Sequence, residues 1–191
     1  MINIKQINAY ALQYGLFLGL LGIASLILTG LSLRTPDLSF ISLPVTLSSP
    51  FVAFLFCRRF RSQTATEEEG FSFANGFFFT FIMGLYASIW IAMFVFFYLR
   101  FFDNGYIFDA YSALLHDPAT YQQLQEDGLL ETLDAAGGID AVIDTMRLTA
   151  PINYAGMVVY TTVISAPIVS CIIALIARRT PGIGAYRDGK F

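Results

Sequence analysis

Residues 71–102 read FSFANGFFFTFIMGLYASIWIAMFVFFYLRFF, a segment of 32 residues in which Arg100 is the only charged side chain. An α-helix rises about 1.5 Å per residue, so roughly 20 apolar residues cross the hydrocarbon core of a bilayer. This segment is longer than a bilayer requires, and we expect a transmembrane helix that is tilted or projects beyond the hydrocarbon. The glutamates at 67–69 precede the segment and complement the positive end of its helix dipole.

Three further apolar segments, at residues 9–33, 38–57 and 152–177, have comparable character and are separated by short charged islands. The whole chain is 56% hydrophobic and only 13% charged. Soluble domains contain about 45–50% apolar and about 25% charged residues. We therefore expect an all-α polytopic membrane protein, in which one membrane domain over residues 1–191 contains four transmembrane helices.

The segment at 38–57 is the least regular of the four because it contains Pro44 and Pro50. Proline has no backbone N–H and leaves one helical carbonyl without its usual partner. Neighbouring helices or Ser and Thr hydroxyls can satisfy that carbonyl inside a membrane. We expect a kinked transmembrane helix here, and a re-entrant or broken helix is the alternative.

Residues 103–150 form the one long polar segment of the chain. Asp followed by Pro at 117–118 is typical of a helix start, and leucines then recur at near-helical spacing as far as the glycines at 137–138. A second amphipathic helix is expected between those glycines and Pro151. We predict an extracytoplasmic loop containing this pair of helices, which lies on the membrane surface or caps the bundle.

The basic residues are distributed unevenly when successive loops are assigned to alternate sides of the membrane. Eight lie on the side of the two termini, and three lie on the other side. The eight are Lys5, Arg58, Arg59, Arg61, Arg178, Arg179, Arg187 and Lys190, and the three are Arg34, Arg100 and Arg147. Because basic loops are retained in the cytoplasm, we expect a multi-pass topology with both termini inside and the acidic loop outside.

Five of the cytoplasmic arginines directly follow two of the predicted spans. They are Arg58, Arg59, Arg61, Arg178 and Arg179. Anionic phospholipid headgroups at that level attract each basic side chain by about 1 kcal/mol. We interpret these five residues as topology anchors that contact membrane lipids.

Small residues recur at every fourth position in three of the predicted spans. The third span has Gly76, Thr80, Gly84, Ser88 and Ala92, the fourth has Thr162, Ala166, Ser170 and Ala174, and the first has Gly15 and Gly19. Helices associate in lipid where small residues allow their backbones to approach closely. We predict that these residues pack helices within one chain, and a homo-oligomer packed through the same residues is the alternative.

The sequence contains no recognisable catalytic constellation. His116 is the only histidine, which excludes paired-histidine zinc motifs, and no phosphate-binding glycine loop or nucleophile elbow occurs. No ionisable residue lies at the centre of a predicted span, which argues against a proton-coupled pump. We interpret Cys57 and Cys171 as free thiols, and we expect no enzymatic activity, cofactor, metal site or nucleic-acid partner.

A family resemblance rests on residues of the first and third spans. They are Tyr14 and Gly15, the GFSFA segment at 70–74, Gly76, Thr80, Phe81 and Gly84, and the Phe-Asp pair at 102–103. With these residues the chain resembles domain-of-unknown-function family 4199, four-helix membrane proteins found mainly in Bacteroidota. The resemblance covers nearly the whole chain and implies a bacterial inner-membrane location. It implies no activity and no catalytic residue.

Two functions are compatible with these features. The first is a structural or interaction role, in which the acidic loop contacts an extracytoplasmic protein partner. The alternative is a small transporter or channel component, because helices broken at Pro44, Pro50 and Pro167 can line a pathway. A polar cavity between the second and fourth spans would support the alternative, and dry packing there would argue against it.

Overall fold

The computed structural model describes residues 3–65 and 70–179, so the glutamates at 67–69, Arg187 and Lys190 lie outside the described residues. The described parts form an all-α fold. In chain order its helices are α1 (Ile4–Ser32), α2 (Ser39–Thr64), α3 (Phe73–Phe101), α4 (Tyr106–Leu115), α5 (Pro118–Glu126), α6 (Leu129–Ala135), α7 (Ile139–Leu148) and α8 (Pro151–Ala177).

Four of these helices, α1, α2, α3 and α8, are long and apolar enough to cross a membrane. They overlap the four predicted spans and confirm the all-α prediction. The helix ends differ from the span ends, since α1 begins at Ile4 and α2 continues to Thr64. Helical hydrogen bonding continues into the polar flanks, whereas hydropathy marks only the part suited to hydrocarbon.

α2 is a single helix that contains both Pro44 and Pro50. The broken-helix alternative for this segment is therefore wrong. The Ser25 and Thr46 hydroxyls form a hydrogen bond of 2.5 Å between α1 and α2, close to the two prolines. This polar contact between neighbouring helices stabilises α2 in the region where its two prolines have no backbone N–H to donate.

The bundle is built around α3, which packs against α1 on one face and α8 on another. α2 packs mainly against α1 and contacts α8 and α3 less extensively. Successive long helices run antiparallel, since the N-termini of α1 and α3 lie beside the C-termini of α2 and α8. α3 is therefore the element that brings the first and the last helix of the chain together.

The buried core lies mainly at one end of the bundle, which we call the closed end. It contains the N-termini of α1 and α3 and the C-termini of α2 and α8. Phe60 and Phe79 are fully buried there, with ring centroids 4.3 Å apart and ring planes within 6°. Phe71 and Arg179 pair through two backbone hydrogen bonds of 2.8 and 3.0 Å, which join the start of α3 to the end of α8.

Helices α4 to α7 lie between α3 and α8, where we expected only two helices. α4 was not predicted, and the first predicted helix is divided into α5 and α6 at Gly128. Gly128 has φ +71°, a left-handed conformation that glycine adopts without strain and that ends regular helix. The second predicted helix corresponds to α7.

The turn from α3 to α4 is organised by Asp103, which is 3% exposed. Its carboxylate accepts hydrogen bonds from the backbone N–H of Gly105 at 3.1 Å and of Ile107 at 3.0 Å. Asn104 and Gly105 both have positive φ, which lets the chain reverse within two residues. The carboxylate thereby satisfies free N–H groups at the start of α4 and holds that helix against the end of α3.

Candidate functional site

The small residues of α3 and α8 face one another in antiparallel register. A Cβ atom built on Gly76 would lie 3.3 Å from the Cβ of Ala174, and one built on Gly84 would lie 3.6 Å from the Cβ of Ala166. The two contacts are eight residues apart on each helix, in opposite chain directions. The two helix backbones approach each other along this seam, as small residues permit in a membrane.

Thr80 and Ser170 lie midway along the α3–α8 seam and are only 4% and 1% exposed. Neither hydroxyl has a hydrogen-bond partner of ordinary geometry in the described part of the chain, although the Cys57 thiol lies beside Thr80. Ser88 and Ala92 are also buried, and Thr162 is half-buried. The seam therefore depends on the small size of these side chains rather than on hydrogen bonds between them.

α1 approaches α3 closely at Gly15 and Gly19. A Cβ atom on Gly15 would lie 2.7 Å from the Cβ of Tyr86 and 2.9 Å from the carbonyl oxygen of Met83. A Cβ atom on Gly19 would lie 2.9 Å from the Cβ of Trp90. Real Cβ atoms do not come this close to such atoms, so a larger residue at either position requires α1 and α3 to move apart.

The structure places the five predicted anchor arginines in two different environments. Four of them are exposed: Arg58, Arg59, Arg178 and Arg179. Arg61 is half-buried, and its Nη1 donates a hydrogen bond of 2.8 Å to the carbonyl oxygen of Ala177. Since the last carbonyls of a helix have no partner within the helix, Arg61 caps α8 and joins it to α2.

His116 follows α4 in the loop, whereas Cys57 and Cys171 lie in α2 and α8 toward the closed end. The imidazole of His116 is exposed, with Nδ1 2.8 Å from the carbonyl oxygen of Ser112 and Nε2 3.6 Å from the carboxylate of Asp140. Cys57 is buried and Cys171 is exposed, and both are free thiols. These residues do not converge on a common site.

The end of the bundle opposite the closed end contains an apolar cavity of about 500 Å³. Its walls come from the last turns of α1 and α3 and the first turns of α8, and α4 and α7 close it on the side of the loop. Leu26, Leu33, Phe94, Leu99, Phe108 and Val158 are among its lining residues. Its volume lies within the range of about 300–1,000 Å³ that is typical of ligand pockets.

Glycine spacing explains why open volume remains at this end. Gly15 and Gly19 bring α1 into contact with α3 nearer the closed end, whereas a Cβ atom on Gly30 would have no heavy atom within 4 Å. Gly30 itself lines the cavity. The close packing of α1 on α3 is therefore confined to one part of the helix pair.

Polar contacts hold the loop helices over the cavity. The Tyr154 hydroxyl of α8 donates a hydrogen bond of 2.7 Å to the carbonyl oxygen of Met146 in α7. Arg147 of α7 forms an ion pair of 2.6 Å with Asp109 of α4. α4, α7 and α8 are thus joined around the cavity, with the α4–α7 ion pair exposed to solvent.

This cavity is not the polar cavity between the second and fourth spans that would have supported a transport pathway. Pro44, Pro50 and Pro167 are not among its lining residues, and no residue of α2 contributes to it. Its wall is predominantly apolar, because Leu, Ile, Val and Phe side chains supply most of it. It therefore provides neither the polar surface nor the broken helices that a path for hydrophilic solutes requires.

The lining residues of α4 were missed in the sequence. Tyr106, Ile107, Ala110, Tyr111 and Leu114 recur at spacings of three and four, the pattern of one helix face, and Tyr106, Ile107 and Tyr111 of this face line the cavity. The Asp-Asn-Gly triplet at 103–105 marks the preceding turn. These two signals together would have predicted α4 and its apolar face toward the membrane domain.

Fold and composition together define the class of the protein, an all-α chain with four helices suited to a membrane and a helical cap at one end. The chain belongs to the family described as protein of unknown function DUF4199, whose model matches residues 13–179. This match confirms the family resemblance seen in the sequence. No curated protein and no solved structure gives a significant match to the chain.

Proposed function

We propose that the chain is a multi-pass protein of the bacterial inner membrane with a structural or interaction role. Its termini lie in the cytoplasm, and α4 to α7 contact a protein partner outside it. The excess of basic residues on the side of the termini supports this orientation. The proposal includes no catalytic step, no cofactor and no nucleic-acid partner.

The observation that carries the proposal is that α5 and α6 are not packed against the bundle. Neither helix has a buried residue. Their main contacts are with each other and with the adjacent helices α4 and α7. Chain segments that are folded but contribute nothing to their own core are available to a partner.

The charge of the loop defines the chemistry of that partner. Residues 103–150 contain nine carboxylates and one arginine, and eight of the nine carboxylates are exposed. Asp103 is the buried exception. An acidic surface of this kind attracts and orients a partner with a complementary basic surface. Its main effect is to raise the rate of association.

Crosslinking in native membranes tests the proposal. Single cysteines replace Tyr121 in α5 and Asp140 in α7, in a chain carrying Cys171→Ser so that the exposed natural thiol does not react. A maleimide–diazirine crosslinker is attached, and the products are identified by mass spectrometry. A cysteine at Phe51, an exposed residue of α2, is the matched control for contacts made through lipid-facing surface.

A single reproducible partner from the two loop positions, absent from the Phe51 control, is the expected result. Crosslinks to a second copy of the chain would instead favour a homo-oligomer and identify the surface through which it forms. If both loop cysteines label fully with the crosslinker but capture no protein, and copurification in mild detergent yields no stoichiometric partner, the interaction role is wrong.

A further inference from the structure

The apolar cavity at the loop end of the bundle suits an apolar occupant. Its volume of about 500 Å³ corresponds to roughly 17 water molecules at about 30 Å³ each. Water enters a cavity only where polar groups replace its hydrogen bonds, and this wall is predominantly apolar. Given the membrane placement proposed above, the surrounding solvent at this depth is hydrocarbon, so an alkyl chain fills the cavity most favourably.

A cationic side chain lies next to this apolar space. The guanidinium carbon of Arg34 is 4.2 Å from the ring centroid of Tyr106, and Tyr106 lines the cavity. Leu33, the residue before Arg34, lines it as well. Arg34 follows the end of α1 at Ser32, which places the guanidinium where the apolar part of the helix gives way to polar sequence.

Arg34 is available for an anionic ligand. Its side chain is exposed, and no carboxylate in residues 3–65 and 70–179 forms an ion pair with it. Arg147, whose neighbour Met146 lines the cavity, is already paired with Asp109. Guanidinium groups bind phosphate oxygens through paired N–H donors, and stacking on Tyr106 leaves the edge of the Arg34 guanidinium free to do so.

We propose that this cavity binds one acyl chain of an anionic membrane phospholipid, whose phosphate contacts Arg34. The alkyl chain makes the apolar contacts that the helices do not make with one another at this end. The phosphate sits beside the polar end of α1. The tyrosines of the wall suit this level of the membrane, because their rings are apolar and their hydroxyls are polar.

The test uses purified full-length protein in phosphatidylcholine vesicles that contain a minor fraction of phosphatidylglycerol with a diazirine in one acyl chain. After illumination, the modified residues are located by mass spectrometry. We expect modification concentrated in α4 and in the last turns of α1 and α3. The same diazirine on phosphatidylcholine measures the contribution of the headgroup.

Two variants with matched controls separate the cavity from the headgroup contact. Gly30→Phe places a ring where a Cβ atom meets no neighbour and fills the cavity, so labelling of α4 should fall several-fold. Gly156→Phe is its control, because Gly156 is equally open but does not line the cavity. Arg34→Gln should reduce labelling by phosphatidylglycerol about fivefold, the effect of one basic group at a membrane surface. Arg58→Gln, at an exposed arginine of the closed end that also lies over an aromatic ring, should not.

The outcomes distinguish this inference from the proposed function. Equal labelling of Gly30→Phe, Gly156→Phe and the unmodified protein would overturn the cavity as the binding site. Equal loss for phosphatidylcholine and phosphatidylglycerol in Arg34→Gln would overturn the phosphate contact. Labelling at exposed positions of α2 but not in α4 would leave the membrane placement intact and reject only the lipid site. Absence of labelling from all four long helices would reject both.

Discussion

Substitution of Gly15 by alanine should weaken the contact between α1 and α3. The new methyl group would lie 2.7 Å from the Cβ of Tyr86 and 2.9 Å from the carbonyl oxygen of Met83. Ordinary van der Waals contact begins near 3.4 Å, so α1 must move away from α3 by about 0.7 Å, the difference from 2.7 Å. Both opposing groups belong to or adjoin the α3 backbone and cannot turn aside.

The expected loss of stability follows from two opposing effects. Overpacking a close contact costs about 1–3 kcal/mol. Replacing glycine by alanine within a helix recovers up to about 1 kcal/mol through helix propensity. Gly156→Ala is the matched control, because it gains the same propensity and its Cβ atom meets no neighbour within 4 Å. The difference between the two variants isolates the contact and should be about 1–3 kcal/mol.

Trp90 provides the assay. It is the only tryptophan of the chain, and it packs against Gly19, one turn along α1 from Gly15. Thermal unfolding in mild detergent, followed by Trp90 fluorescence, should show a midpoint several degrees lower for Gly15→Ala than for Gly156→Ala. The folded-state emission of Gly15→Ala should also shift, as α1 moves away. Equal midpoints and unchanged emission in the two variants would refute the close approach of α1 to α3.

Three further predictions concern other contacts. Ser170→Ala should leave the unfolding midpoint unchanged or slightly raised, because the hydroxyl it removes has no partner, whereas Ser170→Leu should lower it clearly by forcing α3 and α8 apart. Arg61→Gln should destabilise the protein by about 1 kcal/mol through loss of the bond to Ala177, and Arg58→Gln, at an exposed position, should have little effect; equal effects would contradict the capping role. A cysteine at Tyr121 should react with a membrane-impermeant maleimide on intact cells, and reaction only after lysis would reverse the proposed topology.

The number and position of the membrane-type helices could be predicted because that signal is local. A segment such as 71–102 carries its own hydrophobic length, and nothing in the rest of the fold alters it. The same holds for α2, where the apolar segment is long enough to predict a transmembrane helix despite Pro44 and Pro50. The family resemblance could likewise be recognised from the sequence, because it rests on residues within single helices.

The loop was predicted less well because its signals are short. Gly128 interrupts a leucine pattern that otherwise indicates one helix, and a single left-handed residue is enough to end it. α4 depends on the buried carboxylate of Asp103, whose role is visible only when the backbone N–H groups it satisfies are known. Local patterns indicated helices here but not their number.

Sequence alone determined which residues are small enough for close helix packing, but only the tertiary structure decided which helices they join. Gly15 contacts one face of α3, and Gly76 and Gly84 contact α8 from another. Lipid-facing and helix-facing positions are both apolar in a membrane protein, so no hydrophobic periodicity distinguishes them. The cavity beside Arg34 depends on five helices at once and has no counterpart in any one segment. Long-range arrangement, rather than local composition, defines that site.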